Sequence, residues 1–347
     1  MLKSLRPFMA MILLAAWSFM ALAQESEEKE ALPIKGGEKI LFIGNSLTGQ
    51  LPSELNTVLK ANGLPEFEGY RLQIWNQTFE THWTISRETH GDLFYDKPNK
   101  DGFAVKGQTT LWKKGLYNDP KYVERGFIYA KEAIELGTPE GKPWDIVVLQ
   151  GYAAGAPENK KTVSPDGKVI YEGPFLQYGA LLIDTVRKAG AQPVLYENWL
   201  LNPAKGGGNE DPDSYYNNRF DNLLKNYKIL GEDYDVPIIP IGAAMRALSL
   251  EDKPEDVPTE WLIRDNVHGT AMGKALMLYS FAAALTGKPA TELQYEFKST
   301  TKWNKSSHYV IGEPDARYNV VITEAIDNQI KKVVDKYIKQ YEEAGLL

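Results

Sequence analysis

Ser46, Asp265, His268 and Gln150 are of the types that acyl-transfer chemistry needs. A serine hydroxyl is a weak nucleophile until a base takes its proton, and the base needs a partner to orient it. The chain has four histidines, His82, His90, His268 and His308. His268 alone has a suitable neighbour: Asp265 lies three residues earlier, in a loop that runs into an apolar helical segment. That spacing lets a carboxylate reach one imidazole nitrogen while the other faces outward. Asp-x-x-His also arises by chance, and a Gly-Asn-Ser turn is usually a plain strand-to-helix connection. Neither motif settles a chemistry alone. His82, in Thr81-His82-Trp83, reads as a loop histidine or a substrate contact. His90 and His308 have no partner pattern and read as structural or surface residues.

The elements that must position these groups are legible in the hydrophobic pattern. Ile40-Leu41-Phe42-Ile43 reads as a strand buried on both faces, as in a parallel sheet. It stops at Gly44-Asn45-Ser46, residues that tolerate a tight turn. Leu51, Leu55, Val58 and Leu59 then follow helical spacing, with Pro52 in the first turn. Ser46 therefore sits just past the carboxyl end of a strand, ahead of a helix. In open α/β sheets that edge binds ligands, and helix N-termini there offer free N–H groups. Tyr70–Trp75 predicts a second strand, Trp144–Gln150 a third, Gln192–Glu197 a fourth and Val236–Pro240 a fifth. Helices are predicted over 51–60, 121–136, 174–189, 215–234, 243–248, 269–286 and 318–343. Five strands alternating with helices predict a doubly wound α/β domain. Ser46, Gln150 and Asp265/His268 then all lie at carboxyl strand ends, where they can converge.

Phe79 to Pro120 is irregular and rich in aromatics, and is expected to be a long loop or insertion over the working edge. Ala153–Gly173 reads as a loop with a small hairpin around Pro165-Asp166-Gly167. Pro203–Pro212 is a Gly-rich loop. Glu197 and Trp199, at the end of the fourth strand, are candidates for a substrate wall or for packing. Aromatic loops of this kind can stack on the apolar faces of sugar rings or simply fill a core.

The chain's 347 residues, 43% hydrophobic and 24% charged, suffice for one large core. A net charge of −7 without a basic tract speaks against nucleic acid as a partner. Lys3 and Arg6, the apolar run Met9–Met20 and Ala21-Leu22-Ala23 predict an export signal over 1–23, cleaved before Gln24. The run is short for a membrane span. The expectation is a periplasmic or extracellular protein with no stable membrane insertion after cleavage. The organisation expected is a linker over 24–37, a catalytic domain over 38–290 and a C-terminal extension over 291–347 whose helix packs on that domain. The chain contains no cysteine, which excludes disulfides, thiolate metal sites and an acyl-anchored lipoprotein. No ligand cluster suggests a metal.

Leu41-Phe42-Ile43-Gly44-Asn45-Ser46-Leu47-Thr48 and Arg264-Asp265-Asn266-Val267-His268 together resemble the SGNH/GDSL hydrolases, over about Ile40 to Leu285. That resemblance implies a flavodoxin-like three-layer α/β/α sandwich with a mostly parallel five-stranded sheet. It implies esterase, lipase or carbohydrate-deacetylase activity through an acyl-enzyme, with no metal or other cofactor. Carried over, Ser46 is the nucleophile, His268 the base and Asp265 its orienter. The oxyanion hole would combine the Ser46 N–H, a backbone N–H after the second strand and an amide side chain after the third. The family's glycine is Asn76 here, with Gly107 as a substitute, and the family's asparagine is Gln150. Asn45, His82, Trp83 and Trp199 are expected near the substrate. The reading favoured is removal of acyl groups, acetyl first, from a carbohydrate. A lipase or general esterase, and a non-catalytic carbohydrate-binding protein on this fold, remain open at this point.

Overall fold

The computed structural model describes residues 32–48, 51–74, 78–84, 109–113, 130–138, 140–152, 159–199, 212–258, 261–264, 268–296, 298, 308–315 and 319–347. They belong to one compact unit that begins at Leu32. Its centre is β1, Lys39–Gly44, hydrogen-bonded in parallel to β2, Glu68–Ile74, on one side and to β4, Ile146–Leu149, on the other. Residues 40–43 and 146–149 are wholly buried. A strand covered on both faces has no place for an alternating polar residue, so these runs are uninterrupted.

The sheet continues from β4 to β7, Gln192–Tyr196, and then to β8, Ile238–Ile239. The parallel strands thus lie in the spatial order second, first, third, fourth, fifth of their sequence, the flavodoxin-like arrangement. All five predicted strands are present and parallel. β8 is only two residues long because Pro237 and Pro240 flank it and have no N–H to give a ladder.

A sixth strand was not expected. β3, Thr109–Lys113, pairs antiparallel with β2 at the sheet edge, inside the stretch read as a long loop. Edge strands need only a short β-compatible run, and Thr-Thr-Leu-Trp within an irregular polar region carries little pattern. The same stretch opens with a short helix. The hairpin expected around 165–167 is present as β5, Lys160–Val163, paired with β6, Val169–Glu172.

Helices cover both faces of the sheet. On one face pack α1, Leu51–Ala61, α6, Ile241–Ser249, α7, Ala271–Thr286, and α8, Glu324–Glu343. On the other pack α2, Phe79–Thr84, α3, Ala130–Leu136, α4, Pro174–Lys188, and α5, Pro212–Tyr234. Of the helix predicted over 121–136, the part up to 129 lies outside the described residues. The last helix starts at Glu324, six residues later than predicted, because Thr323 caps it by accepting the Ile326 N–H. α7 is buried along nearly its whole circumference, which explains a composition with no polar face. Among the described residues no helix is long and apolar enough to cross a membrane.

Candidate active site

β1 delivers the chain to Gly44 at the carboxyl edge of the sheet, where a single 3₁₀ turn, Ser46–Thr48, leads toward α1. The turn is held from within. The Asn45 backbone N–H donates to Gln150 Oε1 at 2.9 Å, and its side-chain Oδ1 accepts the Leu47 N–H at 2.9 Å. Its carbonyl accepts both the Thr48 N–H, at 3.0 Å, and the Thr48 hydroxyl, at 2.6 Å. Asn45 and Thr48 are wholly buried, whereas Ser46 between them is half-buried. A half-buried serine on a turn held by these hydrogen bonds suits a nucleophile.

Gly44 is required by close approach. A Cβ there would stand 2.5 Å from both Gln150 Oε1 and Thr48 Cγ2. Gln150 has therefore grown into the space below the turn. Its Nε2 donates to the Gly151 carbonyl at 3.0 Å while its oxygen holds Asn45. The expectation of an amide presented to an oxyanion is corrected to this extent: Gln150 is wholly buried and braces the turn. The longer side chain folds back on its own strand end, and one of its two N–H groups is spent there. Asn45, expected beside the substrate, is likewise an internal brace, because its short side chain closes an Asx turn. Its Nδ2 is buried without a hydrogen-bond partner.

The brace extends across the sheet. The Gly151 carbonyl also accepts from Asn198 Nδ2 at 2.8 Å and from the Tyr227 hydroxyl at 3.3 Å. The Gly151 N–H donates to that same hydroxyl at 3.2 Å. Asn198 and Tyr227 were not singled out in the sequence. A usable signal was there for Asn198, since both it and Gln150 are polar residues directly after buried apolar strands. Tyr227 reads as an ordinary apolar helix position.

His268 lies just ahead of α7, half-buried. A bridge between Ile263 and Gly269, with the Arg264 N–H donating to the His268 carbonyl at 2.7 Å, pins the loop that carries it. Thr270 then caps α7 by accepting the Gly273 N–H. Two links hold this helix start beside the serine turn. Lys274 pairs with the buried Glu54 of α1 at 3.3 Å. The Tyr196 hydroxyl, at the end of β7, reaches the Leu47 carbonyl at 3.3 Å and Met277 Sδ at 3.2 Å. Burial raises the Glu54 pKa even though Lys274 and then Arg71 oppose it, and it lowers the Arg71 pKa to about 9.

The other expected site residues fall as follows. Asp265 and Asn76 lie outside the described residues, as does Gly107. His82 is on helix α2 instead of in a loop and is wholly buried. Burial lowers its pKa to about 4, against a smaller upward pull from the Gly44 carbonyl that its ring faces. Trp83 is half-buried, with Lys131 Nζ 4.5 Å from its ring centroid. Trp199 is only 3% exposed and packs near Tyr196, a core placement in place of an open wall. Glu197 is wholly buried and serves the fold. Its Oε1 accepts the Ala243 N–H at 2.8 Å, supplying the cap of α6 that Pro240 lacks, and its Oε2 accepts the Tyr341 hydroxyl at 2.7 Å.

No family model matches the chain, and no curated protein matches it in sequence. Solved structures do. A DUF4886 family protein from Bacteroides uniformis aligns with a TM-score of 0.51 at 13% identity, over 87% of this chain and 95% of that one. A candidate SGNH hydrolase from Slackia heliotrinireducens aligns at 0.41 and 18%, over 72% and 100%. An acetyl xylan esterase aligns at 0.39 and 16%, over 70% and 97%. The architecture shared with that DUF4886 family protein is a flavodoxin-ordered sheet between two helical layers; in this chain a serine turn stands at the end of the first strand.

Proposed function

We propose that the chain is a serine hydrolase that cleaves acyl esters. The observation that carries this reading is the junction of α1 and α7. The Lys274–Glu54 ion pair and the Tyr196 hydroxyl, which reaches Leu47 and Met277, hold the start of the helix that follows His268 near the half-buried Ser46, at the carboxyl edge of the sheet.

In the proposed mechanism His268 takes the Ser46 hydroxyl proton as Oγ attacks the ester carbonyl, and Asp265 orients and stabilises the imidazolium. The oxyanion is held by the N–H groups of Ser46 and Asn76. His268 then protonates the departing alcohol, and water hydrolyses the acyl-enzyme by the same base. Each oxyanion donor is worth about 2.7–4 kcal/mol of barrier. The acyl group we propose is acetyl and its carrier a carbohydrate, on the strength of the acidic charge, the aromatic-rich segments and the family the motifs resemble. An export signal over 1–23, with the mature chain outside the cytoplasm, belongs to the same proposal.

Hydrolysis of p-nitrophenyl acetate and of acetylated oligosaccharides tests it. We expect Ser46→Ala and His268→Ala each to abolish turnover, while Ser46→Ala keeps binding the oligosaccharide. Wild-type kcat/KM should rise with pH as a histidine deprotonates, near its usual value of about 6.5. Binding without turnover in the wild type favours a non-catalytic carbohydrate-binding protein.

A further inference from the structure

Tyr196 closes β7 with a hydroxyl where the packing asks only for a ring. The ring stands edge-on to Phe281 of α7, 5.2 Å between centroids, and tilted against Trp199 at 6.5 Å. Phenylalanine makes both contacts equally well. The residue is wholly buried, so its hydroxyl must find a partner inside the protein. It crosses to the Leu47 carbonyl, 3.3 Å away in the turn after β1, and lies 3.2 Å from Met277 Sδ. That reach spans the sheet, since β4 stands between β1 and β7.

One O–H proton serves these two acceptors, and a carbonyl oxygen accepts more strongly than a thioether. The bond therefore belongs to Leu47, with the sulfur packed against the hydroxyl. Burial raises the pKa of the hydroxyl well above its ordinary value, so it stays a donor throughout the neutral range. The bonds that Asn45 makes to Leu47 and Thr48 fix the shape of the serine turn, but they lie within it. Its orientation needs ties to other elements. One is at its start, from the Asn45 N–H to Gln150 Oε1, and one is at its end, from Tyr196 to the Leu47 carbonyl. Ser46 lies between these two.

We propose that Tyr196 is a positioning residue for the nucleophile. Its hydroxyl holds the Leu47 carbonyl and so sets the tilt of the serine turn, which directs the Ser46 hydroxyl and N–H. Tyr196 itself lies inside the core and acts through the turn, not on the substrate. The contact with Met277 places the same hydroxyl against α7, the helix that starts just after His268. The nucleophile turn and the base-bearing segment thus take their register from one side chain. The inference rests on the serine-hydrolase reading of Ser46.

The test is the rate at which a fluorophosphonate labels Ser46 in the purified protein, alongside kcat and KM for p-nitrophenyl acetate across the neutral pH range. Tyr196→Phe removes one oxygen and leaves the ring. It should slow labelling and lower kcat roughly tenfold, the scale of one hydrogen bond. KM should stay nearly unchanged, and the loss should be the same factor at every pH, because the hydroxyl does not titrate there. Met277→Leu keeps the bond to Leu47 and should lose less. 4-Aminophenylalanine at position 196 restores an N–H donor and should recover most of the rate, which a merely structural defect would not. A labelled wild type with an equally fast Tyr196→Phe variant overturns this inference alone, as does a Met277→Leu loss as large as that of Tyr196→Phe. A wild type that neither takes label nor hydrolyses the ester overturns the hydrolase reading and this inference with it. Should Tyr196→Phe fail to fold, the 4-aminophenylalanine protein decides. Labelling near the wild-type rate supports the proposal, and a folded protein labelled far more slowly overturns it.

Discussion

At the scale of single residues, the site depends on how little room the serine turn has. A methyl group at Gly44 collides with Gln150 and with Thr48, and neither can move without releasing Asn45. Gly44→Ala should destabilise the fold by about 1–3 kcal/mol, the usual scale of overpacking. It should also suppress Ser46 labelling far more than global unfolding explains. A denaturant melt read beside the labelling rate separates the two, and a variant that labels normally refutes the argument. Glu197 makes a second prediction, on pH. Burial raises its carboxyl pKa from 4.5 to about 7, against the opposing hydrogen bonds from Tyr341 and Ala243. The folded state then holds a proton that the unfolded state releases, so stability falls as pH rises from about 4.5 to about 7. The contribution is fully present below that window and lost above it, and amounts to about 3 kcal/mol. Glu197→Gln mimics the protonated form. Its stability relative to wild type should improve across this window, as read from urea melts at several pH values. Ser46 and His268 stand out in the sequence by residue type and spacing, and the structure places Ser46 in the turn after β1 and His268 just ahead of α7. The placements of Asn45 and Gln150 were not legible there, because both looked like contacts for a ligand and fold inward as braces. Which way a polar side chain turns at a strand end depends on partners more than 100 residues away, as between Asn45 and Gln150.

At the scale of elements, the strands were easier to read than their lengths. Uninterrupted apolar runs mark β1, β4 and β7 because both faces of each are covered. β3 escaped notice because an edge strand needs no such run. Nothing local in α1 or α7 reveals the link between them, since Glu54 and Lys274 look like ordinary surface residues of two helices. In the fold Glu54 is 3% exposed, with Arg71 and Lys274 as its counter-charges. Removing one partner of a buried pair leaves the other charge uncompensated. Lys274→Met should therefore cost about 3–5 kcal/mol, more than Glu54→Gln, and the double variant should recover part of it. The cycle is read by urea melts. Equal, additive losses would mean that the pair contributes no coupling. Because α7 starts just after His268, we also expect Lys274→Met to lower kcat more than it raises KM.

At the scale of the whole molecule, the sheet that carries Ser46 is supported by the C-terminal helix α8. α8 inserts Ile330, Val333, Val334 and Tyr341 into the core. The Asp327 carboxylate accepts the hydroxyls of Tyr279, at 2.8 Å, and Tyr309, at 2.5 Å, and pairs with Lys331 at 2.6 Å. Two further contacts reach the sheet. The Tyr341 hydroxyl donates to Glu197 directly after β7, and the Ile238 N–H of edge strand β8 donates to the Leu346 carbonyl at 2.6 Å. The sequence showed α8 as an amphipathic helix, but an amphipathic stripe names no partner. A helix that only covered the surface could be removed at modest cost. This one completes the partners of a buried carboxyl and of a buried tyrosine pair, and it closes the sheet edge. A chain ending at Thr323 should therefore fail to reach the native state, because it exposes the apolar face of α7 and strips Glu197 and Tyr279 of their partners. Limited proteolysis and near-ultraviolet circular dichroism of the truncated protein check this. Adding the 324–347 peptide in trans should restore native dichroism and Ser46 labelling together, since the same helix supports the core and, through α7, the loop of His268. Restored packing with an unreactive serine would separate the two and show that docking α8 does not by itself set the reactivity of Ser46.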